Sequence, residues 1–321
     1  MTNRKLIRVF PRRTSCTPRD RLAFVGDPPL FRPPPGEVEE VHVSVTFTWD
    51  LPEAERLRSA WAGHYPVVKI GGPALDPPAG KFVPGRYMKP GVTFTSRGCD
   101  RKCPWCRVPG REGKIQELQD YPDGWIVQDN NLLQTSQAHQ AGVFDMLRRQ
   151  PKPIELAGGI DVRLLNPWFV EQVLTLRLGQ IFLAADTRPQ VKLLEEAREL
   201  LRDIPQKKLR VYTLIGFGND TIAKATERLE RVWSLGCIPY AQLYQPEDKR
   251  INYSYPWRLL SKQWSRPAIM YSMHKVAQAV SGTAAQLPLP GPSAGDPGAL
   301  PRTAHWTRGR NGSTSSPEPA P

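Results

Sequence analysis

Long hydrophobic runs are missing from this 321-residue chain: nowhere do about 18 apolar residues follow one another, the length a helix needs to cross a bilayer. The N-terminus, MTNRKLIRVFPRR, is basic but lacks the apolar core of roughly 7 to 15 residues that marks a secretory signal. Neither membrane insertion nor secretion is supported, and the expected location is the cytoplasm. Cysteine is scarce and odd in number: there are five, of which Cys99, Cys103 and Cys106 fall within eight residues. That count and clustering argue against a disulfide framework and toward metal or redox chemistry. The biases of disordered, collagenous or coiled-coil chains are absent too, because 40% hydrophobic, 9% aromatic and 23% charged residues is ordinary globular composition.

Proline, by contrast, is abundant. Of 34 prolines, 14 precede residue 92 and 8 follow residue 280, so the 12 between them leave the middle of the chain as its regular part. The last 41 residues hold 8 Pro and 6 Gly, the composition of a disordered tail, in which His305 and Trp306 are the only suggestion of a docking motif. The net charge of +13 is concentrated at the start, where residues 1–21 carry +6. A basic arm of this kind suits a polyanionic partner such as nucleic acid, but it is as often a solubility feature, and no basic stripe interleaved with aromatics follows it.

Two patterns divide the ordered part. Residues 41–47 alternate as a strand, 51–62 carry helical spacing with Asp50 as candidate N-cap and Pro52 in the first turn, and 66–72 read as a second strand ending in glycines. From Gly91 onward, apolar runs near 92–95, 125–128, 154–157, 180–185, 209–215 and 237–244 recur every 26 to 33 residues, about one βα unit each. Helical stretches separate them, with Asn166-Pro167 and Asp220 or Thr221 as start signals. The expected class is α/β with a parallel sheet, either doubly wound or curled into a partial barrel. In both forms the site lies at the C-terminal strand ends. The expected domains are a small α/β unit over 1–88, the repeating core over 89–280 and the tail over 281–321.

The first strand of the repeat runs directly into Cys99-Asp-Arg-Lys-Cys103-Pro-Trp-Cys106, a C-x3-C-x2-C loop on that functional edge. Four readings compete. A structural zinc site wants four ligands, and only His64 and His139 stand by as distant singles. A ferredoxin-type cluster wants four cysteines, and Cys16 and Cys237 stand alone. Redox chemistry of Cys103 and Cys106 leaves Cys99 unexplained. The fourth reading is a 4Fe-4S cluster on three cysteines, with one iron open to a small molecule. Arg97, Arg101, Lys102 and Arg107 would offset its negative charge.

The spacing, its position after the first strand and Trp105 just before the third cysteine resemble the radical S-adenosylmethionine (radical SAM) enzymes, over about residues 90–250. The resemblance implies a partial (β/α)6 TIM-like barrel, a 4Fe-4S cluster on Cys99, Cys103 and Cys106, and reductive cleavage of S-adenosylmethionine to a 5'-deoxyadenosyl radical. It also implies an electron donor such as flavodoxin or ferredoxin. By position, Asp129, Asn130 and Asn131 after the second strand would meet the cofactor amine, in an Asp/Asn form of that segment rather than the usual Gly-Gly-Glu form. Arg163 would meet its carboxylate, Asp186 its ribose and Gly216 its adenine, while helix capping and surface ion pairs compete for the same side chains. The N-terminal unit faintly resembles a shortened cobalamin-binding domain, but it lacks D-x-H-x-x-G, so cobalamin is not expected. Cys237 reads as a buried small hydrophobe, Cys16 as incidental and His42 as packed. A non-catalytic metal scaffold and a basic RNA-binding or RNA-modifying protein are the alternatives, and the substrate is not legible.

Overall fold

The computed structural model describes residues 5–75, 82–246 and 250–284; the expected tail from 285 onward, with His305 and Trp306, lies outside the described residues. The chain opens with strands β1 (Lys5–Phe10), β2 (Ala23–Val25) and β3 (Val38–Ser44), helix α1 (Leu51–Ala62) and strand β4 (Val68–Gly71). These strands form one parallel sheet in the order β2-β1-β3-β4. Ala54, Leu57 and Trp61 of α1 pack against Ile7, Val9, Val41 and Val43, which is the alternation of apolar positions that one covered sheet face requires. The strand expected at 41–47 lies three residues earlier, because Thr48–Asp50 forms a tight 3-10 turn that leads into α1. Asp50 occupies the expected N-cap position without capping. Its carboxylate instead accepts from Arg12 Nε at 2.6 Å.

Six residues of the segment expected to be a basic arm, Lys5–Phe10, form a core strand. Ile7, Val9 and Phe10 are buried, and β1 sits between β2 and β3. Three of its cations are matched: Lys5 pairs with Glu37, Arg8 with Asp20, and Arg12 with Asp50.

Beyond β4 come β5 (Gly91–Thr93), β6 (Ser96–Arg97), the short helix α2 (Val108–Glu112), β7 (Gln116–Glu117) and β8 (Gly124–Val127). Four further βα steps follow: α3 (Gln137–Arg148) to β9 (Ile154–Asp161), α4 (Pro167–Leu174) to β10 (Leu178–Ala184), α5 (Arg188–Leu200) to β11 (Leu209–Ile215), and α6 (Ile222–Ser234) to β12 (Ile238–Leu243). Helices α7 (Tyr255–Gln263) and α8 (Pro267–Ala284) close the described chain. The six expected strands all form, and they pair in parallel as β5-β8-β9-β10-β11-β12. The order follows the chain without the reversal that a doubly wound sheet would show. Start signals act as read: Asn166 accepts from Phe169 N at 3.0 Å, and Thr221, rather than Asp220, accepts from Lys224 N at 3.2 Å.

The core of this sheet lies on one face, where Ile154, Leu156, Ile181, Leu183, Leu209 and Val211 meet Phe144, Phe169, Val173 and Leu194 from the helices. The exposed edge at β12 is closed by α7 and the residues after it. Ala241 N donates to Trp264 O at 3.0 Å, and Ser265 Oγ donates to Ala241 O at 3.0 Å, so a strand edge open to other chains is covered. Among the described residues, those up to Met273 form one compact unit that contains both of the larger sheets, and those from His274 onward lie outside it. The boundary expected near 89 thus separates two sheets of one unit. Helix α8 runs across the one expected at 281. Among the described residues no helix is long and apolar enough to cross a membrane.

Candidate functional site

The cysteine loop is an excursion between β6 and β7, which pair antiparallel at its base. Cys99 N donates to Gly113 O at 3.1 Å across that base. Gly98 stands at φ 80°, and a Cβ there would fall 2.1 Å from the Lys114 carbonyl, so only glycine admits this close passage of the two chain segments. Exposure rises along the loop: Cys99 is buried, Cys103 half-buried and Cys106 exposed.

Three consecutive side chains beyond β8 hold this loop at three places. Asp129, 2% exposed, accepts from Thr95 N at 2.6 Å, from Ser96 Oγ at 2.9 Å and from the Thr95 hydroxyl, fixing the end of the strand from which the loop springs. Burial pushes the Asp129 carboxyl above its ordinary range, and these hydrogen bonds offset that only in part. Asn130 donates through Nδ2 to Glu112, whose carboxylate also takes Arg97 Nε at 3.0 Å and Gly98 N at 3.3 Å. Burial would raise the Glu112 carboxyl, but the hydrogen bonds and charge of Arg97 outweigh it and hold the group low. Asn131 Nδ2 lies 3.7 Å from Cys99 Sγ and 3.5 Å from Asp161 Oδ2, while its Oδ1 is buried without a partner.

Asp161, at the end of β9, is the residue that sequence reasoning missed. Arg163 Nε and Nη2 reach it at 2.7 and 2.9 Å, and Arg101 Nε, from inside the cysteine loop, at 3.1 Å. Burial would raise this carboxyl too, yet the bonds from Arg163 and the charges of Arg163 and Arg101 hold it below the ordinary carboxylate range. The D-x-R spacing of Asp161 and Arg163 was the one available signal; the contact with Arg101 spans 60 residues and left no local mark. Arg163 is therefore engaged by Asp161.

On the opposite flank, Trp105 Nε1 donates to Asp186 Oδ2 at 3.2 Å, and Asp186 Oδ1 takes Leu214 N at 3.2 Å. Burial pushes the Asp186 carboxyl up to about 6, against the lowering by Trp105. Thr187, not Asp186, is the N-cap of α5, in a capping box with Gln190. Gly216 has φ 79°, and the room its missing side chain leaves is taken by Tyr253, 2.8 Å from where a Cβ would stand.

A cavity of 360 Å³ opens between the loop and α5, with Arg101, Lys102, Cys103, Trp105, Arg163 and Gln190 among its walls. The structure thus brings Trp105, Asn131, Arg163 and Asp186 around the cysteine loop, while Asp129 and Asn130 brace it from beneath and Gly216 serves packing. Among the described residues no three His, Cys, Asp or Glu side chains converge as ligands of a single metal ion. Cys237 is fully buried and its thiol is pushed up to about 12 by desolvation. His42 is half-buried, bonded to the Tyr87 hydroxyl at 2.7 Å and to Glu40 at 2.5 Å. No protein-family model matches the sequence, and no curated protein matches it either.

Proposed function

We propose that this chain is a radical SAM enzyme in which Cys99, Cys103 and Cys106 hold a 4Fe-4S cluster and S-adenosylmethionine occupies the cavity beside Cys103. The observation that carries the reading is the suspension of the three cysteines on one braced loop at the C-terminal end of β5, the first strand of six parallel βα units laid down in chain order. That order, with helices packed on one face, supports a partial (β/α)6 barrel.

The residues present fit the groups. Thiolates are the ligands iron–sulfur clusters take, and each binds a different iron, so convergence on one point is not required. Arg101, Lys102 and Arg163 offset the cluster's charge and suit a ligand carboxylate. Trp105, Pro189 and Leu193 give the cavity an apolar wall for a flat ring, and its 360 Å³ lies within the range of roughly 300 to 1,000 Å³ for small-molecule sites. The unpartnered Oδ1 of Asn131 is an acceptor suited to an ammonium group. A bound cluster would supply the one electron that breaks the sulfonium C–S bond, releasing methionine and a 5'-deoxyadenosyl radical able to take hydrogen from a substrate. Asp129 and Asn130 contribute by fixing the loop, and Asp186 by orienting Trp105. An acidic electron carrier such as flavodoxin or ferredoxin would find Lys102 and Arg107 on the rim, and a cytoplasmic setting accords with this chemistry.

Anaerobic reconstitution with iron and sulfide tests the reading. About four irons per chain are expected, with a brown, oxygen-sensitive product. Simultaneous Cys→Ala substitution at 99, 103 and 106 should abolish iron uptake, and a triple variant that loads iron normally refutes the assignment.

A further inference from the structure

Of the three side chains that grip the loop, only that of Asn131 reaches a cysteine sulfur. Its Nδ2 lies 3.7 Å from Cys99 Sγ and 3.5 Å from Asp161 Oδ2, and the residue is 4% exposed. Both neighbours are acceptors, so the amide nitrogen and not the oxygen must face them. The backbone N–H of Arg101 adds a second donor to the same sulfur at 3.4 Å. Cys99 is thus the most buried of the three cysteines and the one approached by a neutral amide from a different βα loop.

We infer that Asn131 is a positioning residue that sets the reduction potential of the cluster through Cys99; the inference rests on the proposed cluster. An N–H directed at a ligating sulfur draws off negative charge and favours the reduced, more negative state, so it raises the potential. Hydrogen bonds to the sulfurs and exclusion of solvent are the protein's main means of tuning such clusters. In the dry surroundings of Cys99 the effect of one dipole is larger than at the exposed Cys106. Asp161 keeps the amide turned toward the sulfur, and Arg101 and Arg163 hold Asp161 in turn.

The test uses the full chain with Asn131→Leu, which removes the donor and keeps the branched shape, and Asn131→Ala, which removes it without adding bulk or charge. Iron and sulfide per chain are measured first, then the midpoint potential, by redox titration followed in the electron paramagnetic resonance signal of the reduced cluster. Both variants should load as wild type does, and both midpoints should fall by an amount equivalent to about a tenfold change in the reduction equilibrium, 59 mV for one electron. Normal loading with an unmoved midpoint in both overturns the inference alone. Loss of the cluster from both also overturns it, because Asn131 would then be a structural brace. If only the leucine variant fails to load, the midpoint of the alanine variant decides. A wild-type chain that takes up no iron defeats the cluster, and this inference with it.

Discussion

Trp105 Nε1 donates to Asp186 Oδ2 over 3.2 Å, tying the middle of the cysteine loop to the C-terminal end of the fourth strand of the six-stranded sheet. Both residues stood out in the sequence, 81 positions apart, as separate candidates for the cofactor. The fold makes them one unit: an indole held in place by a carboxylate buried deeply enough to titrate near 6.

That titration has a sign. The folded-state pKa of Asp186, about 6, lies above its ordinary 3.8, so its contribution to stability is fully present below 3.8 and is lost as pH rises through 6. Asp186→Asn removes the buried charge and keeps one oxygen for Trp105, leaving Leu214 N to face the amide nitrogen, which offsets part of the gain. The variant should be more stable than wild type at pH 7, by up to about 3 kcal/mol on the scale of 1.36 kcal/mol per pKa unit. The gain should vanish near pH 4, as read by urea unfolding at the two pH values.

Asp161 should behave in the opposite sense. Its carboxyl is held low, so its stabilising pairs are intact above the ordinary carboxylate pKa and fail as pH falls through the lowered value. Asp161→Asn releases Arg101 and Arg163 and should cost about 1 to 3 kcal/mol at pH 7. The loss should shrink in acid, which thermal melts from pH 7 to pH 3 would register.

Two glycines make a contrasting pair. A Cβ on Gly158 would fall 1.8 Å from the Asp129 carbonyl, backbone against backbone, while one on Gly142, in the exposed middle of α3, meets nothing within 4 Å. Gly158→Ala should therefore displace the Asp129–Asn131 segment and cost more than about 3 kcal/mol or prevent folding. Gly142→Ala should stabilise by about 0.8 to 1 kcal/mol through helix propensity. Parallel chemical denaturation of the two variants checks both.

The N-terminal residues offer a fourth prediction. Ile7 is fully buried in a central strand, so Ile7→Ala should cost about 2 to 4 kcal/mol. Deleting residues 1–21 should unfold the first sheet rather than merely trim charge, with loss of the helical signal of α1 in circular dichroism. A truncated protein with an unchanged spectrum and melting temperature would contradict the placement of β1.

What the sequence disclosed and what it hid follow from the range of the interactions. The six strands and α1 were legible because apolar periodicity and start signals such as Asn166 and Thr221 are local. Strand β1 was hidden because its cations resembled a solvated arm; the carboxylates that match Lys5 and Arg8 lie 32 and 12 residues away. The cysteine loop declared itself by spacing, but its braces did not. Asp161 and Glu112 act on groups that only the sheet brings near, and Asp129 and Asn130 turned out to grip the loop from below. Gly216 was legible as a glycine that admits a close approach, though the ring that approaches is Tyr253.

The most direct measurement is anaerobic incubation of the reconstituted full chain with dithionite and S-adenosylmethionine, followed by mass identification of the products. Wild type should form 5'-deoxyadenosine and methionine, and the triple cysteine variant neither. Intact S-adenosylmethionine after incubation with a fully loaded, reduced protein would contradict the proposed activity.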